Sequence, residues 1–197
     1  HANLGAYLSH FGAFIPTEAG TGMLNGLYSI PCIWANVKGI HTNTVPTDAY
    51  RGAGRPEAIY LLERLIDKAA DELHIDRIEL RRQNIIPPDR FPYETPLGLI
   101  YDSGSFERNL NEGLRHINWG EIQSRKQQSK TRGRDRGIGL ANYVEKCGHG
   151  VTENVELEVL VDGAINVLIG TMSNGQGHET AYAQIISELL DVELDSV

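Results

Sequence analysis

Residues 45–74 read V-P-T-D-A-Y-R-G-A-G-R-P-E-A-I-Y-L-L-E-R-L-I-D-K-A-A-D-E-L-H, a glycine loop that leads directly into a helix pattern. Pro56 suits a first helical turn, and Glu57 complements the positive end of the helix dipole. Over 56–74 the apolar residues recur at helical spacing, which predicts one buried stripe. That stripe consists of Ala58, Leu61, Leu62, Leu65, Ala69 and Leu73. The predicted solvated face carries Glu63, Arg64, Asp67, Lys68, Asp71 and Glu72.

The loop itself combines two glycines with two cations. Gly52 and Gly54 straddle Ala53, and Arg51 and Arg55 flank them. Glycine lets a backbone approach a ligand closely, and the free N–H groups of a helix N-terminus can hold an anion. An ordinary tight turn before a helix is the alternative interpretation. The loop lacks the G-K-[ST] of a P-loop, which disfavours a nucleotide-phosphate binding module.

A second glycine loop, G-T-M-S-N-G-Q-G-H-E-T, occupies 170–180. Two apolar segments, 155–161 and 164–170, flank an Asp-Gly pair and predict a β-hairpin before this loop. Apolar residues at helical spacing follow it. Gln176 lies between two glycines, so its amide could point into a pocket or could hydrogen-bond its own loop. Both interpretations are open at this point.

Five segments together resemble one family. A-Y-R-G-A-G-R-P-E-A at 49–58 and N-G-Q-G-H-E-T at 174–180 are similar to the molybdenum hydroxylases. These are the large, molybdopterin-binding subunits of xanthine dehydrogenases, aldehyde oxidases and aerobic carbon monoxide dehydrogenases. The similarity continues through I-E-L-R-R-Q-N-I-I-P, F-P-Y-E-T-P-L-G and Y-D-S-G-S-F, at 78–87, 91–98 and 101–106. It therefore covers nearly the whole chain, in the family's order.

The resemblance implies a cofactor and the residues that contact it. In the family, molybdenum is held through the dithiolene of a pterin, and side chains are not its ligands. The positions of Arg51, Gly52, Ala53 and Gly54 would contact the molybdenum end. Those of Asn174, Gly175, Gln176 and Gly177 would contact the pterin. We expect molybdopterin in a dinucleotide form, with iron–sulfur clusters and FAD carried by partner domains or subunits.

The resemblance also limits the reaction. Carbon monoxide dehydrogenases have a copper-bridging cysteine after the loop arginine, where this chain has Gly52. Xanthine dehydrogenases have a substrate-stacking phenylalanine at the position of Ala53. The family's F-G-G-K segment and its catalytic glutamate fall outside these residues, so no catalytic residue is predicted here. We expect an inactive fragment of a large subunit that oxidises an aldehyde or N-heterocycle with water-derived oxygen. The alternatives are a carbon monoxide dehydrogenase-type subunit and a non-catalytic interaction or scaffold domain.

Composition excludes other classes. A net charge of −8 argues against nucleic-acid and anionic-membrane binding. No apolar run is long enough to span a bilayer. Cys32 and Cys147 are too few for a disulfide framework and are predicted to be buried, which favours a cytoplasmic location. His1, His10 and His41 lack metal-ligand spacing. Ser173 with His178, and Asp48 or Glu179 as a base, offer only weak catalytic patterns, so the sequence alone supports binding of a small molecule.

The predicted organisation is α+β, with layered helices on a mixed or antiparallel sheet. A first part of the molybdopterin-binding region spans 1–123, and a second part spans 138–197. Between them, 124–137 has six basic residues and one acidic residue. This stretch is predicted as a polar connector, with contact to phosphate or an acidic partner as the alternative. Strands are predicted at 2–15, 32–40 and 137–145, and helices at 18–27, 76–84 and 106–117. A glycine turn is predicted at 147–150.

Overall fold

The computed structural model describes residues 1–146 and 152–197, which form two compact units, His1–Lys146 and Cys147–Val197. The helices are α1 (Arg55–Leu73), α2 (Arg77–Asn84), α3 (Phe106–His116), α4 (Ile122–Thr131) and α5 (His178–Leu190). The strands are β1 (Ala2–Gly5), β2 (Gly39–His41), β3 (Tyr93–Glu94), β4 (Ile100–Tyr101), β5 (Val155–Val159) and β6 (Ile165–Ile169). The predicted turn at 147–150 and the burial of Cys147 lie outside the described residues.

Within the described residues, the strands form three two-stranded sheets. β1 pairs with β2 in parallel, and β3–β4 and β5–β6 are antiparallel. Together with the five α-helices of the described ranges, they confirm the predicted α+β class. No helix in the described ranges is long and apolar enough to cross a membrane.

The helix predictions of the first unit are confirmed at 56–74, 76–84 and 106–117, within one residue at each end. Asp76 caps α2, because its carboxylate Oδ1 accepts the N–H groups of Ile78 at 2.9 Å and Glu79 at 3.1 Å. An aspartate N-cap satisfies N–H groups that the first turn of a helix leaves unpaired. At 18–27 the chain forms instead a π-helical turn, Ile15–Ala19, and a 3-10 turn, Thr21–Met23.

The predicted strands at 2–15, 32–40 and 137–145 are wrong over most of their length. Only Ala2–Gly5 and Gly39–His41 are strands, and the structure has none at 137–145. Apolar–polar alternation indicates a strand only where a neighbour supplies a hydrogen-bonded ladder; the first two segments have one for a few residues, and 137–145 has none. Cys32, predicted as buried, is exposed in such an irregular segment.

The core of the first unit lies between α1, α2, α3 and the segment around Tyr28. Its buried apolar members are Leu27, Tyr28, Leu62, Ile78, Ile85 and Leu110. A second cluster joins Ile86 to Tyr93 of β3 and Tyr101 of β4. Two residues of the irregular segment after α4 also join these clusters, because Leu140 packs on the first and Val144 on the second.

The buried face of α1 differs from the predicted stripe. Ala58 and Leu62 are buried as expected, but Leu61, Leu65 and Leu73 are each about 60 % exposed. Glu63 and Asp67, which were assigned to the solvated face, are only 5 % and 6 % exposed. Arg81 on α2, which is fully buried, donates to Glu63 at 2.9 Å and to Asp67 at 2.9 Å. A cation on the neighbouring helix therefore turns the acidic side of α1 inward.

The basic stretch 124–137 is helical in its first part, where α4 runs through Thr131. The two compact units divide later, between Lys146 and Cys147. Irregular chain at 134–146 leads from α4 to that division. The assignment of 124–137 as a boundary between functional parts stays a prediction.

The second unit consists of the β5–β6 hairpin followed by α5. The strands pair from Val155 with Ile169 to Val159 with Ile165, and Gly163 takes a left-handed φ of 90° in the connection. The Asp-Gly pair thus marks the turn, as predicted. Ile165 is the one buried apolar side chain among the described residues of this unit.

Candidate functional site

The arginine–glycine loop, residues 51–54, has an unusual backbone. Gly52, Ala53 and Gly54 are consecutive left-handed residues with φ values of 99°, 45° and 87°. A left-handed alanine costs free energy that the surroundings must offset. Two turn hydrogen bonds do this locally, from Ala53 N to Tyr50 O at 2.7 Å and from Arg55 N to Gly52 O at 3.1 Å.

Gly54 lies where two backbone segments meet. A Cβ at this position would collide with the carbonyl oxygen of Ile15 and lie 3.0 Å from the nitrogen of Gly20. At Gly52 a Cβ would lie 2.5 Å from Cγ of Pro56. Both glycines are therefore required by the protein itself, before any ligand is considered.

Arg55, the first residue of α1, turns back onto this loop. Its Nη1 donates to Gly52 O at 3.3 Å, so the Gly52 carbonyl accepts from both the main chain and the side chain of Arg55. The Arg55 side chain is 14 % exposed, and its Nε lies 3.7 Å from Oε1 of Glu145. This Nε is buried and makes no hydrogen bond with a described residue. Burial raises the pKa of Glu145 above its usual range, although Arg55 acts in the opposite direction.

In the second loop, Gly175 and Gly177 also take left-handed φ values, of 94° and 73°. The Gln176 side-chain oxygen accepts the N–H of Asn174. The amide oxygen therefore stabilises its own loop by a hydrogen bond, as in the interpretation in which Gln176 bonds its own loop. Gly177 then begins α5 as its N-cap residue.

A depression of about 320 Å³ lies between the hairpin and α5 in the second unit. The second loop contributes Ser173 and His178 to its lining. The His178 ring stacks on Tyr182 with centroids 5.0 Å apart, and its Nδ1 is buried without a hydrogen-bond partner in the described chain. No hydrogen bond joins Ser173 to His178 within the described residues, so a nucleophile–base pair is not formed here.

Charge divides sharply between the two units. Residues 147–197 contain nine acidic side chains and no lysine or arginine. The lysine and arginine side chains of the protein therefore all belong to residues 1–146. Residues 1–146 and 152–197 contain no cluster of three or more His, Cys, Asp and Glu residues that could hold a metal ion.

These features fit a pterin cofactor that brings its own metal. The glycines of both loops allow a ligand to approach the main chain closely, the buried Nδ1 of His178 has no hydrogen-bond partner in the described chain, and such neutral groups suit the polar edge of a heterocycle. The sequence located both loops through their glycines. It gave no sign that Glu145, 90 residues later, lies beside Arg55, since no local pattern pairs residues at that separation.

Comparison with known proteins agrees with this picture. Residues 1–85 and 112–197 each match a molybdopterin cofactor-binding domain. The chain is 34 % identical over 204 residues to the carbon monoxide dehydrogenase large chain of Afipia carboxidovorans, covering 92 % of this chain and 25 % of that one. It is 31 % identical over 200 residues to the 6-hydroxypseudooxynicotine dehydrogenase complex subunit gamma of Paenarthrobacter nicotinovorans, covering 99 % of this chain and 25 % of that one.

The structure is similar to that of quinoline 2-oxidoreductase from Pseudomonas putida 86, with a TM-score of 0.84 and 28 % sequence identity. That match covers 99 % of this chain and 26 % of the solved one. Fold and sequence thus define a molybdopterin-binding protein. The chain belongs to the large-subunit family of the molybdenum hydroxylases, and it spans about a quarter of the length of the relatives it matches.

Proposed function

We propose that the full-length protein is a molybdenum-dependent hydroxylase that oxidises an N-heterocycle or an aldehyde with water-derived oxygen. In this proposal the chain supplies two parts of the molybdopterin site. The observation that carries it is the pair of molybdopterin-binding domain matches, each of which contains one glycine loop that precedes a helix.

Each loop has its own role. Arg51 would hold the molybdenum end of the cofactor by its charge, and the main chain of Gly52, Ala53 and Gly54 would approach that end closely. Residues 174–177 would hold the pterin edge, with the Gln176 oxygen keeping the loop in shape. When bound, the cofactor supplies a metal centre for oxygen transfer to carbon and for electron uptake. The chain's residues bind and orient it.

Partners follow from the same reaction. Electrons must leave the molybdenum site, and we propose an iron–sulfur subunit and an FAD subunit, or domains equivalent to them, as the route. The relatives' own names, "large chain" and "complex subunit gamma", denote multi-subunit enzymes. A cytoplasmic location remains part of this proposal.

For the substrate we favour an N-heterocycle or an aldehyde over carbon monoxide. Gly52 has no side chain at the position where the resemblance places a copper-bridging cysteine. Quinoline 2-oxidoreductase, a structural neighbour, carries a heterocycle in its name. The second candidate is a carbon monoxide dehydrogenase-type subunit, which the 34 % identity to such a chain favours. A scaffold domain that has lost the cofactor is the alternative from another class.

The test is the molybdenum and pterin content of the full-length protein from its native host. We expect molybdenum and pterin equimolar with the subunit, and no copper. Arg51→Ala should weaken cofactor retention roughly tenfold or more, because a charged hydrogen bond contributes about 1.5–3 kcal/mol. Gln176→Ala should weaken it less, because the Gln176 oxygen acts through its own loop.

Arg64→Ala is the matched control, because Arg64 is an exposed arginine of α1 whose nearest acid, Asp67, lies 3.9 Å away. It should leave molybdenum content unchanged. A folded wild-type protein without molybdenum or pterin would support the scaffold alternative. Equimolar copper would support the carbon monoxide dehydrogenase alternative.

A further inference from the structure

We infer that Arg55 and Glu145 form a positioning clasp for the arginine–glycine loop, in which Arg55 fixes the Gly52 carbonyl and Glu145 holds Arg55. The clasp rests on the proposed function, since positioning matters only if the loop contacts the cofactor. Arg55 and Glu145 are positioning residues, because they act on the cofactor through the main chain of the loop.

Arg55 contacts the arginine–glycine loop through two hydrogen bonds to one carbonyl group. Gly52 O accepts from Arg55 N at 3.1 Å and from Arg55 Nη1 at 3.3 Å. Its neighbours on the C-terminal side, Ala53 and Gly54, are both left-handed. A peptide group fixed at Gly52 therefore restrains a run of residues whose conformation is intrinsically unfavourable. The direction of the loop's N–H groups depends on this restraint.

Glu145 lies where its carboxylate faces the Arg55 guanidinium. Arg55 is largely buried, so its charge needs a nearby carboxylate. Glu145 is the one acid within ion-pair distance of Arg55 among the described residues. A carboxylate at this distance keeps the guanidinium over the loop and prevents it from turning to solvent.

The irregular segment that carries Glu145 is anchored to the first unit by hydrogen bonds and by apolar contacts. Asn142 N donates to Glu63 Oε2 at 2.9 Å, and the Asn142 amide contacts Asn109 and Phe106 O. On either side of Asn142 in the sequence, Leu140 packs on the first apolar cluster and Val144 packs on the second. A segment without regular structure thus has a fixed path, which delivers Glu145 to Arg55.

The position of the clasp in the chain gives it a further consequence. Glu145 lies one residue before the end of the first compact unit. The residue that holds the loop is therefore part of the chain that leads into the second unit. Displacement of this segment would release Arg55 and, through Gly52, alter the loop.

Charge exchange in the full-length enzyme tests the clasp. The variants are Arg55→Lys, Arg55→Glu and the exchange Arg55→Glu/Glu145→Arg, with Glu57→Gln as a control that removes an exposed acid near the same helix start. The measurements are the melting temperature and the rate of molybdenum loss well below it. We expect Arg55→Glu to lower the melting temperature and to speed molybdenum loss roughly tenfold.

The exchange separates positioning from simple stability. It restores opposite charges, so the melting temperature should recover in part, but a carboxylate at 55 cannot donate to Gly52 O and molybdenum loss should stay fast. Arg55→Lys keeps a donor and a charge, and should lose molybdenum more slowly than Arg55→Glu. Recovery of both quantities by the exchange would overturn the clasp. Wild-type protein without molybdenum would overturn the proposed function itself, and the clasp with it.

Discussion

Arg81→Ala is expected to lower the free energy of unfolding by about 3–5 kcal/mol, because it leaves the buried Glu63 without its cation and Asp67 with only the longer contacts to Arg77 and Arg64. Arg81 donates through Nε and Nη2 to Glu63, at 3.0 and 2.9 Å, and through Nη1 to Asp67 at 2.9 Å. Tyr28 Oη also donates to Glu63, at 2.6 Å. Burial and the adjacent Glu63 carboxylate raise the pKa of Tyr28, so this hydroxyl stays protonated as a donor.

Chemical denaturation of Arg81→Ala and Arg82→Ala side by side is the measurement. Arg82 is the next residue on α2, is exposed, and contacts Asn111 at 2.7 Å. Its removal should cost less than about 1 kcal/mol, as for other exposed polar contacts. If both variants lose the same small free energy of unfolding, Arg81 does not compensate the buried carboxylates Glu63 and Asp67.

Gly54→Ala is the second substitution with a large expected effect. The new Cβ would meet the carbonyl of Ile15 and the nitrogen of Gly20, which are main-chain atoms that cannot move aside alone. Left-handed strain and this overlap together should cost at least about 3 kcal/mol. The expected result is a large fall in the denaturation midpoint or loss of folded protein.

Gly98→Ala is the matched control for Gly54→Ala. Gly98 has nearly the same φ, 83° against 87°, but a Cβ there would have no heavy atom within 4 Å. It should show the backbone strain alone, about 1–2 kcal/mol. The difference between the two variants measures the close approach at Gly54. Equal losses would mean that the contact with Ile15 and Gly20 is not tight.

Local signals in the sequence predicted much of the fold. Asp76 marked the start of α2 because its carboxylate serves N–H groups two and three residues later. The pair Asp162 and Gly163 marked the hairpin, because a two-residue turn needs a left-handed φ, which glycine adopts readily. Both glycine loops were located in the same way, from residues whose conformations few others adopt.

The predictions that failed concern residues whose positions depend on contacts with residues far away in the sequence. The buried side of α1 follows from Arg81 on another helix, and helical periodicity cannot reveal a cation that turns Glu63 and Asp67 inward. The alternation at 137–145 suggested a strand, yet the segment is held by Asn142 and by the apolar clusters, and it pairs with no strand of the described chain. Glu145 was missed for the same reason.

The most direct test is the position of molybdenum in a crystal of the full-length protein, located by anomalous scattering at the molybdenum edge. We predict one molybdenum site, with the main chain of 51–54 at its metal end and residues 174–177 along the pterin. Molybdenum bound elsewhere, with these two loops on unrelated surfaces, would contradict it.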